Sequence, residues 1–158
     1  MKFSDFVSVP AIQANLVSDD KESVIRELVD GLATAGAINA ADVDGILAAI
    51  MKREELGSTG IGRGVAVPHT KHSSVDRLVG TVGVSSDGLD FNRLDGDKVK
   101  LFFLLISPPD RPGDHLRALE NISRQLRDDT FCRFLKQAKS TGDIQHLLDE
   151  ADNNQFTS

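Results

Sequence analysis

The chain has 158 residues, enough for one domain with a real hydrophobic core; 40% are hydrophobic, 27% charged and 5% aromatic, with neither Trp nor Tyr. A formal net charge of −6 lacks the basic footprint that a phosphate backbone demands, which excludes nucleic-acid binding as the main activity. The longest apolar run, Leu101 to Ile106, is too short to span a bilayer, and no charged N-terminal segment precedes a long apolar stretch, so neither membrane insertion nor a signal peptide is expected.

In chain order, Ile12 to Val17 reads as a short first strand. Ser18, Asp19 and Asp20 offer N-caps for a helix, Asp19 and Glu22 standing at capping-box spacing. Val24, Ile25, Leu28, Val29 and Leu32 then recur at helical spacing up to a stop at Gly36. A second helix is predicted from near Asn39, with Val43, Ile46, Leu47 and Ile50 inward. It ends in Lys52-Arg53-Glu54-Glu55-Leu56, whose basic pair suits a helix C-terminus. A glycine-rich loop from Gly57 to Gly64 leads into a short buried strand, Val65 to Val67, halted by Pro68. Leu78 to Ser85 and Val99 to Ile106 read as two more strands, with Asp87-Gly88 and Asp95-Gly96 as turn signals between them.

Pro108 to Gly113 is expected to be a rigid loop. A helix follows with Leu116, Leu119, Ile122 and Leu126 inward, then one with Phe131, Phe134, Leu135 and Ala138, then a short one with Ile144, Leu147 and Leu148. The single cysteine, Cys132, falls in the middle helix of the three and reads as a core or boundary residue of a reduced, cytoplasmic protein. From Asp152 the polar tail should fray. Strands and helices without strict alternation indicate an α/β, α+β-like fold with a mixed sheet. The domain is taken as residues 1–151, with 152–158 a polar tail.

Four glycines in the eight residues from Gly57 to Gly64 invite a phosphate-loop interpretation, but a Walker loop needs a Lys-Ser or Lys-Thr pair that is missing. A dinucleotide fingerprint follows a strand and opens a helix, whereas here a helix enters and a strand leaves. Two readings stay open: a turn-rich connector with positive-φ residues, or a loop that brings backbone close to a site just downstream. Downstream stands Pro68-His69-Thr70. Pro68 fixes the backbone before the histidine, so His69 should be rigidly aimed at a strand end within a partner's reach. Neutral imidazole is a good nucleophile at cellular pH, which suits phosphoryl relay. On residues alone, an exposed structural histidine is the commoner case.

The stretch from Glu54 to Thr70 resembles the active-site signature of type-2 enzyme IIA domains of the bacterial phosphotransferase system, the fructose–mannitol class with its nitrogen-regulatory members. The acidic residue seven before Ile61, the small-residue pair, the Val65-Ala66-Val67 triplet and the Pro68-His69-Thr70 ending carry the likeness. It implies a mixed sheet of about five strands flanked by helices on both sides. It also implies that His69 takes a phosphoryl group from the carrier HPr and passes it to a IIB component of a sugar transporter. In the regulatory branch, the phosphorylation state instead controls binding to other proteins. His115 matches a second histidine near the first, and Arg53 an arginine at the end of the preceding helix. No cofactor is implied.

His115 would lie at the start of its helix, where the dipole disfavours the imidazolium. Arg53 is read either as a fork for phosphoryl oxygens or as a helix-terminal charge. Ser58, Thr59, Gly60 and Gly62 are candidates to steady the phosphoryl group, with turn chemistry as the alternative. His72, three residues after His69, raises a metal pair with His115 as third ligand, but no acidic or cysteine cluster accompanies it and no metal is expected. His146 reads as a surface residue.

Overall fold

The sheet is built outward from the most apolar stretch of the sequence. A computed structural model describes residues 1–91 and 98–153. Its strands are β1 (Gly60–Gly62), β2 (Val65–Ala66), β3 (His69–Lys71), β4 (Val79–Asp90) and β5 (Lys98–Ser107); its helices are α1 (Lys21–Thr34), α2 (Val43–Glu55), α3 (Pro112–Gln125), α4 (Asp129–Gln137) and α5 (Thr141–Asp152). β5 is the hub, antiparallel to β4 on one side and parallel to both β2 and β3 on the other, while β1 folds back antiparallel on β2. A strand buried on both faces needs no polar alternation, which is why β5 reads as an unbroken apolar run.

Its side chains divide between two cores. Leu101, Phe103 and Leu105 pack with Ile122, Leu126, Phe131, Leu135 and Ile144 of α3, α4 and α5. Phe102, Leu104 and Ile106 pack with Ile25, Leu28, Leu32, Ile46 and Ile50 of α1 and α2. Helices therefore cover both faces of a mixed five-stranded sheet, as expected.

Several local expectations are corrected. Ile12 to Val17 forms no strand: Pro10 sits in a 3-10 turn, Val9–Ala11, and the segment touches β4 through single parallel bridges, Val7 with Gly80 and Gln13 with Gly83. The cap of α1 is Asp20, which accepts from the Ser23 N–H at 2.9 Å, so Asp19 is not the capping residue. Asp87-Gly88 does not end a strand. It lies inside β4, where the register shifts between Val84 and Leu89 and Gly88 takes a φ of 73°. Asp95-Gly96 lies outside the described residues. Pro112 and Gly113 open α3 and do not belong to a loop, since proline is preorganised for the first helical position.

Two helix faces are also corrected. Leu116 is 58% exposed, because α3 is turned so that His115, Ala118, Asn121, Ile122 and Gln125 face inward. Phe134 is 42% exposed and lies under the Arg133 guanidinium, 5.5 Å from its ring centroid. Asp152 is not frayed: it closes α5 and accepts from the Phe3 and Ser4 N–H groups at 2.7 and 3.0 Å, tying the two ends of the described chain together.

Phe103 stacks on Phe3 with ring centroids 5.7 Å apart, at the centre of the α3–α5 core. Phe103→Ala should lower stability by about 3–5 kcal/mol with unfolding still cooperative, as read from urea titrations by circular dichroism.

Candidate functional site

The site begins with a break in a strand. β2 and β3 keep one register on β5: Val65 opposes Leu101, Ala66 opposes Phe102 and His69 opposes Leu105. They are one strand interrupted at Pro68, which has no N–H for the ladder, although its carbonyl still accepts from Leu105 N at 3.1 Å. His69 thus opens a resumed strand rather than ending one. The Val67 N–H points the other way, to Thr59 O at 3.0 Å, and the Val67 carbonyl meets His69 Nδ1 at 2.7 Å. A carbonyl only accepts, so Nδ1 carries the proton and Nε2 holds the free lone pair. Burial holds the pKa of His69 below the ordinary histidine value, with the Arg53 charge adding to it against the Val67 carbonyl and Glu54.

His115 faces it from α3. Its ring centroid lies 5.4 Å from that of His69, at an interplanar angle of 59°. Its Nδ1 bonds Ser107 Oγ, on the last residue of β5. Burial, then the charges of His69 and Lys71, push its pKa down to about 4. His115 is therefore neutral at cellular pH, able to accept at one nitrogen and donate at the other.

A cleft of about 240 Å³ opens beside His69, between Arg53 and the Ser58–Ile61 strip on one side and Leu119, Ile122 and Ser123 of α3 on the other. The structure brings Arg53, Ser58, Thr59 and Gly60 to this cleft with His69, while Gly62 lies outside its lining. Arg53 Nη1 donates to Gly57 O at 2.9 Å, closing the end of α2. The Ser58 hydroxyl donates to Phe91 O at 3.2 Å and accepts from Gly60 N at 3.1 Å. Thr59 is buried, and both its N–H (3.2 Å) and its hydroxyl donate to the Glu54 carboxylate. The two hydroxyls thus hold the loop in shape.

Glu54 is the residue whose role the sequence left unread. Its buried carboxylate pairs with Lys21 Nζ at 2.8 Å, and that ammonium sits 4.7 Å from the Phe91 ring centroid. One signal was present: a lysine in the first turn of α1 opposes the helix dipole and so needs another reason to be there. Ser107, which holds His115, gave no sequence signal. His72 turns to α2, where a Cβ on Gly45 would stand 3.4 Å from its Nε2, and its Nδ1 lies 2.6 Å from Ser74 Oγ. Among the described residues no group of three His, Cys, Asp or Glu is placed for a metal ion. His146 pairs with Glu150 at 2.7 Å on an exposed face of α5. No helix among the described residues is long and apolar enough to cross a membrane.

Residues 5–151 match the family model of the phosphoenolpyruvate-dependent sugar phosphotransferase system, EIIA 2. The chain belongs to this EIIA family. It is 35% identical over 152 residues to the fructose-specific EIIABC component of Bacillus subtilis, covering 96% of the chain but only 24% of that longer protein. It is 32% identical to a nitrogen regulatory protein of Bradyrhizobium diazoefficiens, over 94% of the chain and 95% of the relative. The crystal structure of nitrogen regulatory protein IIA-Ntr from Neisseria meningitidis superposes with a TM-score of 0.81 at 26% identity, covering 92% of this chain and 98% of that one. The fold is thus an EIIA fold.

Two measurements follow for this EIIA domain. His115 should stay neutral in NMR titrations down to about pH 4. Because its folded pKa lies below the unfolded value, its contribution to stability is complete above the ordinary histidine pKa and is lost as the pH falls from there toward about 4. Lys21→Met leaves the Glu54 carboxylate buried without its cation and should cost about 3 kcal/mol in urea unfolding at pH 7.

Proposed function

We propose that this EIIA domain is a cytoplasmic phosphohistidine carrier that takes a phosphoryl group from HPr onto Nε2 of His69 and hands it on. The observation that carries this is the Val67 carbonyl on His69 Nδ1, which leaves Nε2 with the free lone pair on a residue that lines the cleft. Nε2 attacks the phosphorus of the donor phosphohistidine in line. The new Nε2–P bond forms as the donor N–P bond breaks, and its electron pair returns to the departing imidazole. The proton stays on Nδ1, donated to the Val67 carbonyl, so the phosphorylated ring is cationic against the phosphoryl dianion. A cationic ring is also the better leaving group for the next transfer.

His115 and Arg53 supply the stabilising charge and donors. In this reading Ser107 donates to His115 Nδ1, so that the proton of the neutral ring rests on Nε2 and can be donated to a phosphoryl oxygen. Arg53, already anchored at Gly57, keeps the rest of its fork for the same group. Of the loop glycines, Gly60 lines the pocket. Transfer between two histidines needs orientation and charge stabilisation, and no cofactor or metal enters.

The destination of the phosphoryl group has two readings. One is a IIB component of a fructose- or mannitol-class transporter, supported by the likeness to the Bacillus fructose-specific component. The other is a regulatory role in which the phosphorylation state governs protein binding, supported by the end-to-end likeness to a nitrogen regulatory protein.

Phosphoenolpyruvate, enzyme I and HPr should together label the chain once, at an acid-labile, base-stable bond that NMR assigns to His69 Nε2. A labelled His69→Ala variant, or phosphorylation at Nδ1, would sink the assignment. His115→Gln should slow labelling about a hundredfold while the melting temperature holds, and an unchanged rate would remove His115 from the site.

A further inference from the structure

The tip of the β1–β2 hairpin holds a conformation its sequence does not favour. Gly62, Arg63 and Gly64 take φ values of 95°, 57° and 76°. Left-handed backbone suits glycine, and Arg63 is the one other residue, among those described, that adopts it. A strained residue persists where its surroundings over-determine it, and here they do. Arg63 Nη1 donates to Asp129 Oδ1 at 2.6 Å, and Nη2 donates to Leu126 O. Leu126 is the C-cap of α3 and Asp129 opens α4. From α4, Lys136 Nζ returns a bond to the Arg63 carbonyl. The hairpin tip is therefore tied to the α3–α4 junction from both directions.

That tie joins the two walls of the His69 cleft. One wall is the Ser58–Ile61 strip, continuous with β1; the other is Leu119, Ile122 and Ser123 of α3. β1 is an edge strand that pairs with β2 alone, and its register is already irregular between Gly60 and Gly62. The sheet thus fixes only one side of it. Arg63 lies one residue past the end of β1, Leu126 one residue past the end of α3, and the guanidinium spans between them.

We propose that Arg63 is a positioning residue: bonded from the hairpin tip to Leu126 and Asp129, it sets the separation of the two walls flanking His69 and so the fit of the phosphoryl-donating protein. It is absent from the cleft lining and touches no reacting atom. The inference rests on the carrier function proposed above. An aspartate–arginine pair this exposed adds little to global stability by itself, so its effect should appear in the local order of β1 and in docking.

The test compares the full chain with R63G, R63K and D129A. Glycine accepts the left-handed backbone, so R63G should keep the wild-type melting temperature. Amide hydrogen exchange at Gly60, Ile61 and Gly62 should be faster in R63G and D129A. Transfer from HPr, charged by enzyme I and phosphoenolpyruvate, should lose about tenfold in kcat/KM in R63G, mostly through KM. Direct phosphorylation of His69 by phosphoramidate, which docks no protein, should be unchanged. R63K, which keeps the charge without the fork, should recover part of the exchange protection.

Wild-type exchange and wild-type HPr kinetics in R63G would overturn the proposal. So would a parallel loss of melting temperature and phosphoramidate labelling, which would make Arg63 a general fold residue. A wild-type chain that HPr cannot label would instead sink the carrier function, and the exchange rates alone would then decide whether Arg63 holds the wall.

Discussion

The site depends on one hydrogen bond made beside a break in a strand. Pro68 lacks the N–H that would continue the β2–β3 ladder to β5, and the strand pauses there without losing register. Beside that break Val67 faces away from β5, and its carbonyl meets the imidazole two residues later at 2.7 Å. One bond then fixes ring orientation, tautomer and the identity of the free nitrogen. A histidine on an uninterrupted strand would stand perpendicular to the sheet, with no backbone acceptor so placed.

The rest of the fold serves that pause. β5 runs alongside both halves of the broken strand and ends at Ser107, where the hydroxyl holds His115. α3 presents its polar residues inward at its start because His115 has Ser107 to meet, and Leu116 is left in solvent as a consequence. The pair of half-buried Lys21 with buried Glu54 sits beneath the loop that walls the cleft, and Glu54 holds Thr59 by two bonds. Glu54 also opposes the lowering of the His69 pKa that Arg53 and burial produce. A buried ion pair does little for net stability compared with apolar packing, but it gives the loop one geometry, since each partner left alone would be a buried charge.

Much of this was legible in the residues. Period-3.6 apolar spacing located α1 and α2, and the apolar run from Leu101 to Ile106 located the central strand, because burial on one face or on two leaves distinct local patterns. Less legible were features in which polar groups replace apolar ones. The inward face of α3 carries Asn121 and Gln125, so the apolar count pointed to Leu116 instead. Asp87-Gly88 has turn chemistry, yet pairing with β5 on either side of it outweighs the local preference and leaves a bulge. The N-terminal segment has strand-like composition, but Pro10 confines it to isolated bridges along β4.

The sequence by itself determined the local surroundings of His69. Pro68, the glycine loop and the Glu54-to-Thr70 pattern are contiguous, and contiguous residues constrain one another through bonds the chain cannot avoid. Tertiary structure alone decided what faces that histidine. His115 is brought within 5.4 Å, ring centroid to ring centroid, by α3 packing on β5, and Lys21 reaches Glu54 because α1 packs on α2. Those pairings depend on which helix face is buried and on the register along β5, which are settled by the packing of both cores together and not by any local stretch of chain.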